Sequence, residues 1–356
     1  GQLHDFQRSV TTALVEGRDV LGVFRTGAGK SLCYQAAALA MSAAGQGCTL
    51  VVSPLPEQAL AVCFNRAAAD EMSVRLAALG VAGVRVATLN SVGNRIVNQH
   101  WPSLGFEKQP HLMASDPERL HLLREIIAEV CPEVAPRQWA QRIIKTIDLA
   151  RSRMIAPEDY AEVAEPLRAL GRNAPPSPTE VAAVYAAYLD AFSSRGVIDF
   201  LGQIELSIAA MTTVDEVRVA VTSSLREVFV DEAQDLTALD WRLVELLASG
   251  GRLTAVGDPR QAIYEWRGAD PGQFTSFCGQ NVLRDLRYNY RSSAEIVDVA
   301  NQAMPSYPSL IPVTPEPGTV DERTVAEPVA PAVVEVLQHW LADGIPDDEI
   351  AVLVRR

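Results

Sequence analysis

The sequence is poor in cysteine, and its five cysteines form no recognisable pattern. Their number is odd, they are widely spaced, and no two of them are separated by just two residues. Neither a disulfide framework nor a cysteine-based zinc site is therefore expected. The simplest interpretation is a set of reduced, mostly buried thiols. These residues are Cys33, Cys48, Cys63, Cys131 and Cys278.

Long hydrophobic runs are also missing. No stretch approaches the roughly 18 uninterrupted apolar residues of a membrane span, and residues 1–10 are too polar for a secretory signal. The composition, with 48% hydrophobic and 21% charged residues, is ordinary for a globular protein. We therefore expect a cytoplasmic protein without a membrane partner. Its 356 residues suggest two or three domains.

An excess of basic residues is absent as well. The formal net charge of −13 argues against a protein that binds nucleic acid through a uniformly basic surface. The acidic residues are unevenly spread, however. Residues 1–100 contain 8 Lys and Arg against 6 Asp and Glu, whereas residues 101–250 contain 14 against 23. A local path for nucleic acid beside the first segment is compatible with these numbers.

Short β-rich runs alternate with helical runs at both ends of the chain. Strands are predicted at 19–24, 49–53, 61–64, 84–89, 227–230, 253–256 and 350–354. Alternation of this kind predicts an α/β fold with a parallel sheet. Residues 101–195 differ, since Leu, Ile and Ala recur there at helical spacing, and this predicts a mostly helical insertion. A Pro-rich stretch over 305–331 predicts a loop.

A glycine-rich loop between a predicted strand and a predicted helix is typical of a phosphate-binding site. It consists of Thr26, Gly27, Ala28, Gly29, Lys30 and Ser31. Its backbone N–H groups and the start of the helix favour bound phosphate. We expect Lys30 to reach the β- and γ-phosphates of ATP and Ser31 to hold Mg²⁺. Phe24 replaces the first glycine of the strict pattern, which disfavours a small-molecule kinase.

A second signal is an apolar strand that ends in two adjacent carboxylates, Asp231 and Glu232. The carboxyl ends of parallel strands are where nucleotides bind in α/β sheets. Asp231 is the candidate Mg²⁺ ligand, and Glu232 is the candidate base that orients and deprotonates the attacking water. Two acids after a strand are more often a solvated turn, but the upstream phosphate loop favours the catalytic interpretation.

Three long segments together resemble the UvrD/Rep branch of superfamily 1 DNA helicases, in both order and spacing. They are Asp231-Glu232-Ala233-Gln234-Asp235, the segment 256–269 and Tyr288-Asn289-Tyr290-Arg291-Ser292-Ser293. The resemblance covers most of the chain, and the predicted helical insertion matches only in its placement.

The resemblance implies further roles at the nucleotide. Gln261 is similar to a γ-phosphate sensor that links the state of ATP to DNA contacts. Arg291 is similar to an arginine that touches the γ-phosphate from the second motor domain. Tyr290 resembles an aromatic that packs on adenine, and Gln7 resembles a glutamine that reads the adenine edge.

The resemblance also implies a DNA site. Tyr264 and Trp266, followed by Arg267, are similar to aromatics on which single-stranded bases stack. The alternative for Trp266 is a core aromatic. Segment 61–68 is similar to a DNA-contacting motif, with Phe64 as its stacking residue and Asn65 beside it. Asn90 stands where a histidine is usual in a further DNA motif.

Two departures from the family pattern matter. Residues 26–35 and 49–55 look more like RecQ-type helicases, and Leu32 replaces an adenine-stacking arginine, which bears on nucleotide selectivity. The chain also stops before the later motifs, which include a second γ-phosphate arginine. We therefore expect the sequence to be a fragment of a longer protein.

Taken together, the resemblance implies a RecA-like P-loop NTPase core. Residues 1–100 and 196–278 are expected to form the first RecA-like domain, 101–195 the helical insertion and 279–356 the start of a second RecA-like domain. The expected function is ATP- and Mg²⁺-dependent 3′-to-5′ movement on single-stranded or 3′-tailed DNA. The alternatives are a motor subunit of a nuclease or defence complex and a nucleotide-gated DNA-binding module without turnover.

Overall fold

The computed structural model describes residues 20–24, 58–78, 81–165, 167, 175–276, 282–286, 288–289, 291–305, 309–322, 324 and 328–353. The predicted phosphate loop at 26–31 and the predicted strand at 49–53 lie outside these residues, as do Gln7 and Tyr290.

Ten strands occur in the described part of the chain. They are β1 (Val20–Phe24), β2 (Ala59–Cys63), β3 (Arg85–Thr88), β4 (His111–Leu112), β5 (Val197–Ile198), β6 (Glu227–Val230), β7 (Arg252–Gly257), β8 (Val282–Leu286), β9 (Tyr288–Asn289) and β10 (Ile311–Pro312). Six of them form one sheet in the order β3-β2-β6-β7-β1-β8, and the others form the pairs β4-β5 and β9-β10. Every pairing in the large sheet is parallel, which confirms the predicted α/β class.

The register of this sheet brings the carboxyl ends of its strands to one edge. Val62 of β2 pairs with Val230 of β6, which in turn pairs with Ala255 of β7. On the other side of β7, Val23 pairs with Gly257. The residues that follow β2, β6 and β7 therefore leave the sheet side by side.

The sheet extends past residue 278. Strand β8 pairs in parallel with β1, with Leu21 opposite Val282. Residues 282–286 thus belong to the six-stranded sheet, although the sequence-based division places them at the start of a second domain.

The helices of the described residues lie mainly between the strands and in the insertion. They are α1 (Arg66–Ala78), α2 (Leu89–His100), α3 (Asp116–Val130), α4 (Pro136–Ser152), α5 (Pro157–Val163), α6 (Pro178–Arg195), α7 (Phe200–Thr213), α8 (Asp215–Thr222), α9 (Ala238–Ala248), α10 (Pro271–Ser276), α11 (Ala294–Ala303) and α12 (Ala330–Ala342). Capping boxes at Ser177 and Thr237 start α6 and α9. No helix in this set is long and apolar enough to cross a membrane.

Two separate apolar clusters are buried among the residues that the structure describes. The first packs the sheet against α2, α7 and α9, and strand β2 is buried at all its positions, as expected for a strand covered on both faces. The second lies wholly within α3 to α6 and their connections, around Trp139 and Tyr188. The helical segment therefore has an apolar core of its own.

A buried ion-pair network joins this helical segment to the sheet domain. Arg151 at the end of α4 makes a bidentate contact with Asp199, at 2.6 and 2.8 Å, and a second one with Glu205 of α7, at 3.0 and 2.7 Å. Arg119 of α3 bonds Asp148 and lies 3.2 Å from Asp199. Asp199 also caps α7 by accepting from Gly202 N at 2.8 Å. This bidentate geometry gives hydrogen-bond donors to the carboxylates of both Asp199 and Glu205.

Burial alone would raise the pKa of Asp199, but Arg151, Arg119 and the N–H of Gly202 together outweigh burial, and the pKa falls below its ordinary value. A carboxyl group with a lowered pKa in the folded state stabilises the protein above its unfolded-state pKa. That contribution is lost as the pH falls through the folded-state pKa.

The prediction of a strand at 350–354 is wrong for residues 350–353, which are the part of it that the structure describes. Residues 350–353 have no strand pairing, and Leu353 is 95% exposed. An apolar β-rich run becomes a strand only when a neighbouring strand pairs with its backbone.

We predict that Arg151→Met destabilises the chain by about 3–5 kcal/mol, because it leaves Asp199 buried without its partner. Arg195→Met is the matched control, since Arg195 makes an exposed pair with Glu125 at 3.3 Å and its loss should cost at most about 1 kcal/mol. Urea unfolding of the three chains measures the difference. The loss for Arg151→Met should shrink at acid pH, where Asp199 is protonated in any case. Equal losses for both variants would contradict the assignment.

Candidate functional site

The two predicted catalytic acids stand at the carboxyl edge of the sheet, directly after β6. The backbone N–H of Asp231 donates to the carbonyl of Val62 at 3.0 Å, which continues the pairing with β2 by one residue. Glu232 has a left-handed backbone, with φ 50° and ψ 47°. Such a conformation is unusual for a residue with a side chain, and it turns the chain sharply away from the strand.

Hydrogen bonds join these acids to the predicted sensor segment. Gln234 Nε2 donates to Glu232 Oε2 at 2.8 Å, and the backbone N–H of Asp258 donates to Gln234 Oε1 at 2.8 Å. Gln261 Nε2 then donates to Asp258 Oδ2, also at 2.8 Å. Three of the predicted site residues, Asp231, Glu232 and Gln261, are therefore brought together in one polar cluster.

Gly257 allows this close approach. A Cβ atom at that position would lie 2.4 Å from Gln234 Oε1 and 3.1 Å from the backbone nitrogen of Ala233. A side chain at this position would displace the carboxamide of Gln234, so the glycine at the end of β7 permits the observed contact.

The thiol of Cys63 lies at the end of β2, next to the acidic end of β6. Burial, together with the nearby charge of Asp231, raises its pKa to about 12. The thiol is held 3.8 Å from the sulfur of Met72. Cys63 is therefore a neutral, inert group beside the acidic strand end.

Beyond the polar cluster lies a group of aromatic and cationic side chains. The rings of Phe64 and Tyr264 stack with their centroids 4.8 Å apart and an angle of 30° between the planes. Trp266 lies 6.3 Å from Tyr264. The guanidinium of Arg267 sits over both rings of the stacked pair, at 5.5 Å from Phe64 and 5.6 Å from Tyr264.

This group lines a cleft of about 360 Å³ between the sheet domain and the helical segment. Five of the six predicted DNA-binding residues line it: Phe64, Asn90, Tyr264, Trp266 and Arg267. The cleft also has three basic and three acidic side chains, namely Arg119, Lys145, Arg267, Asp148, Asp235 and Asp240. Its walls are thus mixed in charge and rich in flat aromatic surface.

Trp266 is not a core aromatic, because 72% of its surface is exposed. Asn65 has a local structural task, since its Oδ1 accepts from the backbone N–H of Ala68 at 2.8 Å at the start of α1. Asn90 is exposed in the first turn of α2, which Thr88 caps by accepting from Ser91 N at 3.2 Å.

Arg291 is exposed in a turn that Asn289 shapes. The side chain of Asn289 is 8% exposed and accepts the backbone N–H groups of Arg291 at 3.0 Å and Ser292 at 2.8 Å. The turn presents Arg291 at the surface, and its approach to a γ-phosphate stays a prediction.

Lys30, Ser31 and the rest of the predicted phosphate loop lie outside the described residues. The strand that precedes them is described, and it ends at Phe24 beside β7. In sequence, the predicted loop begins where the chain leaves the same sheet edge that carries Gly257.

Sequence reasoning missed Gln234, Arg119 and Lys145 as members of the site. Gln234 was visible only as a position in the acidic segment, and nothing local indicated that its side chain reaches both Glu232 and Asp258. Arg119 and Lys145 lie in the helical segment, where charged residues at helical spacing usually face solvent.

The family model of the UvrD/REP helicase N-terminal domain matches residues 34–280. Among curated relatives, the chain is 30% identical to the ATP-dependent DNA helicase PcrA of Leuconostoc citreum, over 74% of this chain and 36% of that protein. It is 28% identical to UvrD2 of Mycobacterium tuberculosis, over 84% and 45% respectively, and 30% identical to Rep of Escherichia coli, over 68% and 35%.

The chain thus spans about a third to just under half of the length of these relatives. The matched region runs from residue 34, ahead of β2, through the helical segment to residue 280. It includes both the acidic strand end and the aromatic cleft. By this match the chain belongs to the UvrD/REP helicase family, as its N-terminal domain.

Proposed function

We propose that this chain is the ATP-binding front part of a DNA helicase motor that moves along single-stranded DNA. One observation carries the proposal: the acids at the sheet edge and Gln261 share a polar cluster, and the aromatic cleft begins three residues beyond Gln261, at Tyr264. ATP chemistry and base stacking would therefore occur on adjacent parts of one rigid sheet edge. The names of the relatives, ATP-dependent DNA helicases, support the same activity.

At the nucleotide, Glu232 is proposed to orient and deprotonate the attacking water. Its position fits this role because the sharp turn after β6 lifts its carboxylate off the strand, and Gln234 holds one carboxylate oxygen. Lys30 and the backbone of residues 26–31 are proposed to bind the phosphates, with Gln7 and Tyr290 at the adenine. Arg291 is proposed to reach the γ-phosphate when the second motor domain closes.

Magnesium fits the donor set at this edge. The described residues contain no cluster of three or more metal-ligating side chains, so a dedicated protein cage for a cation is not built there. Mg²⁺ commonly uses one or two protein oxygens together with water and substrate phosphates. Asp231 and Ser31 would hold it, and its charge would offset that of the phosphates.

In the cleft, stacking is proposed to dominate over charge. Three acidic side chains accompany the three basic ones, so a strongly positive groove is absent from the described part of the cleft. Aromatic faces bind bases of any sequence, each with roughly 1–3 kcal/mol. Trp266 is exposed, so a base can approach it directly, whereas Phe64 and Tyr264 already stack on each other.

The proposed partner is single-stranded DNA or a 3′-tailed duplex, and the proposed direction, 3′-to-5′, follows from the family resemblance. Residues 1–100 and 196–278 would act as the first RecA-like domain, completed by β8, with residues 101–195 as an insertion. Residues from 288 onward would begin the second RecA-like domain. We propose a cytoplasmic location, in keeping with a DNA substrate.

We predict that Glu232→Gln lowers DNA-stimulated ATP hydrolysis of the full-length protein by about 10²–10⁴-fold, because the amide cannot accept the proton of water. ATP binding should persist, since the side chain keeps its size. Glu245→Gln, on the exposed face of α9, is the matched control and should hydrolyse ATP normally. Full activity in Glu232→Gln, measured by phosphate release with and without single-stranded DNA, would refute the site.

We predict that Trp266→Ala weakens binding of a single-stranded oligonucleotide by roughly one to two orders of magnitude, the equivalent of about 1–3 kcal/mol. Trp340→Ala is the control, because Trp340 is 41% exposed on α12 and lies away from the cleft lining. Fluorescence anisotropy at fixed salt measures both. If the two variants bind DNA equally, the cleft is not the stacking site.

A further inference from the structure

We infer that Gln234 is a positioning residue: its buried carboxamide fixes the carboxylate of Glu232 and ties it to the segment that carries Gln261. The inference rests on the proposed function, since it assigns Gln234 a task in the proposed ATP hydrolysis. Gln234 touches no reacting atom in this proposal and acts through Glu232.

Both the NH₂ group and the oxygen of the Gln234 carboxamide form hydrogen bonds. Gln234 is 2% exposed, and its Nε2 donates to Glu232 Oε2 at 2.8 Å while its Oε1 accepts from Asp258 N at 2.8 Å. A backbone N–H can only donate, so Oε1 must face Asp258 and the NH₂ group must face the carboxylate. The orientation of the amide is therefore determined by its two partners.

Only an amide of this length satisfies both partners. A carboxylate would keep the acceptor for Asp258 N but would place a second acidic group, in place of a donor, about 3 Å from the carboxylate of Glu232. An apolar side chain of similar length would leave the buried N–H of Asp258 without its acceptor. The requirement for donor and acceptor on one side chain distinguishes Gln234 from a residue that merely fills space.

The connection continues to the sensor. Asp258 is 2% exposed, its carboxylate accepts from Gln261 Nε2 at 2.8 Å, and its carbonyl accepts from Gln261 N at 2.9 Å. A shift of Gln261 on loss of a γ-phosphate would move Asp258, and the Asp258 N–H would pull on the carboxamide of Gln234. Buried hydrogen-bonded groups of this kind move together, because breaking one bond leaves a desolvated polar atom.

The carboxamide of Gln234 also depends on the space that Gly257 leaves free. Gly257 offers no side chain, and a Cβ there would lie 2.4 Å from Gln234 Oε1. A methyl group at residue 257 would thus displace the carboxamide while all its chemical groups are kept. This provides a second, independent way to disturb the same contact.

Gln234→Met in the full-length protein tests the inference through the split between kcat and KM. It should lower kcat about tenfold with little change in KM for ATP, because Glu232 loses its donor while the proposed phosphate-binding residues are unchanged. Gln234→Glu keeps the size of the side chain and the acceptor for Asp258 N but replaces the NH₂ donor, so kcat should fall at least tenfold.

The matched control is Gln203→Glu, because Gln203 is also buried, at 1% exposure, and its Nε2 donates to Asn94 Oδ1 at 3.0 Å. It introduces the same carboxyl group at a buried position on α7, and its kcat and KM should stay at the values of the unmodified protein. A fall in kcat of equal size in Gln203→Glu would overturn the inference, since the effect would then come from a general loss of stability.

Gly257→Ala disturbs the same contact and keeps the inference testable if the Gln234 variants do not fold. It should lower kcat to a similar extent as Gln234→Met, and near-wild-type kcat in a folded Gly257→Ala or Gln234→Met protein would overturn the inference. Glu232→Gln separates the two levels of the proposal. If Glu232→Gln retains ATP hydrolysis, the proposed function fails. If it loses hydrolysis while Gln234→Met and Gln234→Glu keep the wild-type kcat, only the role of Gln234 fails.

Discussion

Parallel pairing of β2, β6 and β7 is the constraint on which the site depends. Because these strands run in the same direction and in register, the turns that follow Cys63, Val230 and Gly257 emerge at one edge. Residues far apart in the chain, such as Phe64, Glu232 and Gln261, thereby reach neighbouring positions. Antiparallel pairing of any one of these strands would send its following turn to the opposite edge and separate the acids from the sensor.

A second constraint is electrostatic and lies between the two apolar cores. The two buried apolar clusters share no residue, so the arrangement of the helical segment on the sheet domain depends on other contacts as well. The contact of Arg151 with Asp199 and Glu205 restrains the orientation of the helical segment on the sheet domain, because a bidentate ion pair tolerates little change of angle. Asp148 and Arg119 belong both to this network and to the cleft lining, so the geometry of the cleft depends on the network.

The cleft also bears on the acidic composition of the chain. A net charge of −13 gives little long-range attraction to DNA, but the proposed stacking on Tyr264 and Trp266 needs no positive field. Arg267 packs its guanidinium over two aromatic rings and adds a positive charge to the cleft lining. In the proposed function, local geometry thus matters more than bulk charge.

The class of fold, the strand at 227–230 and five residues of the cleft could be predicted from apolar runs, acids at a strand end, and segments that resemble known motifs. Arg119 and Lys145 of the same cleft could not. The strand predicted at 350–354 failed, since its pattern was right but no paired neighbour is described for it. The role of Gln234, the left-handed turn at Glu232, the Arg151 network and the place of β8 in the first sheet needed the fold. Each rests on contacts between residues distant in the chain or on a backbone angle, and neither leaves a periodic trace in a sequence.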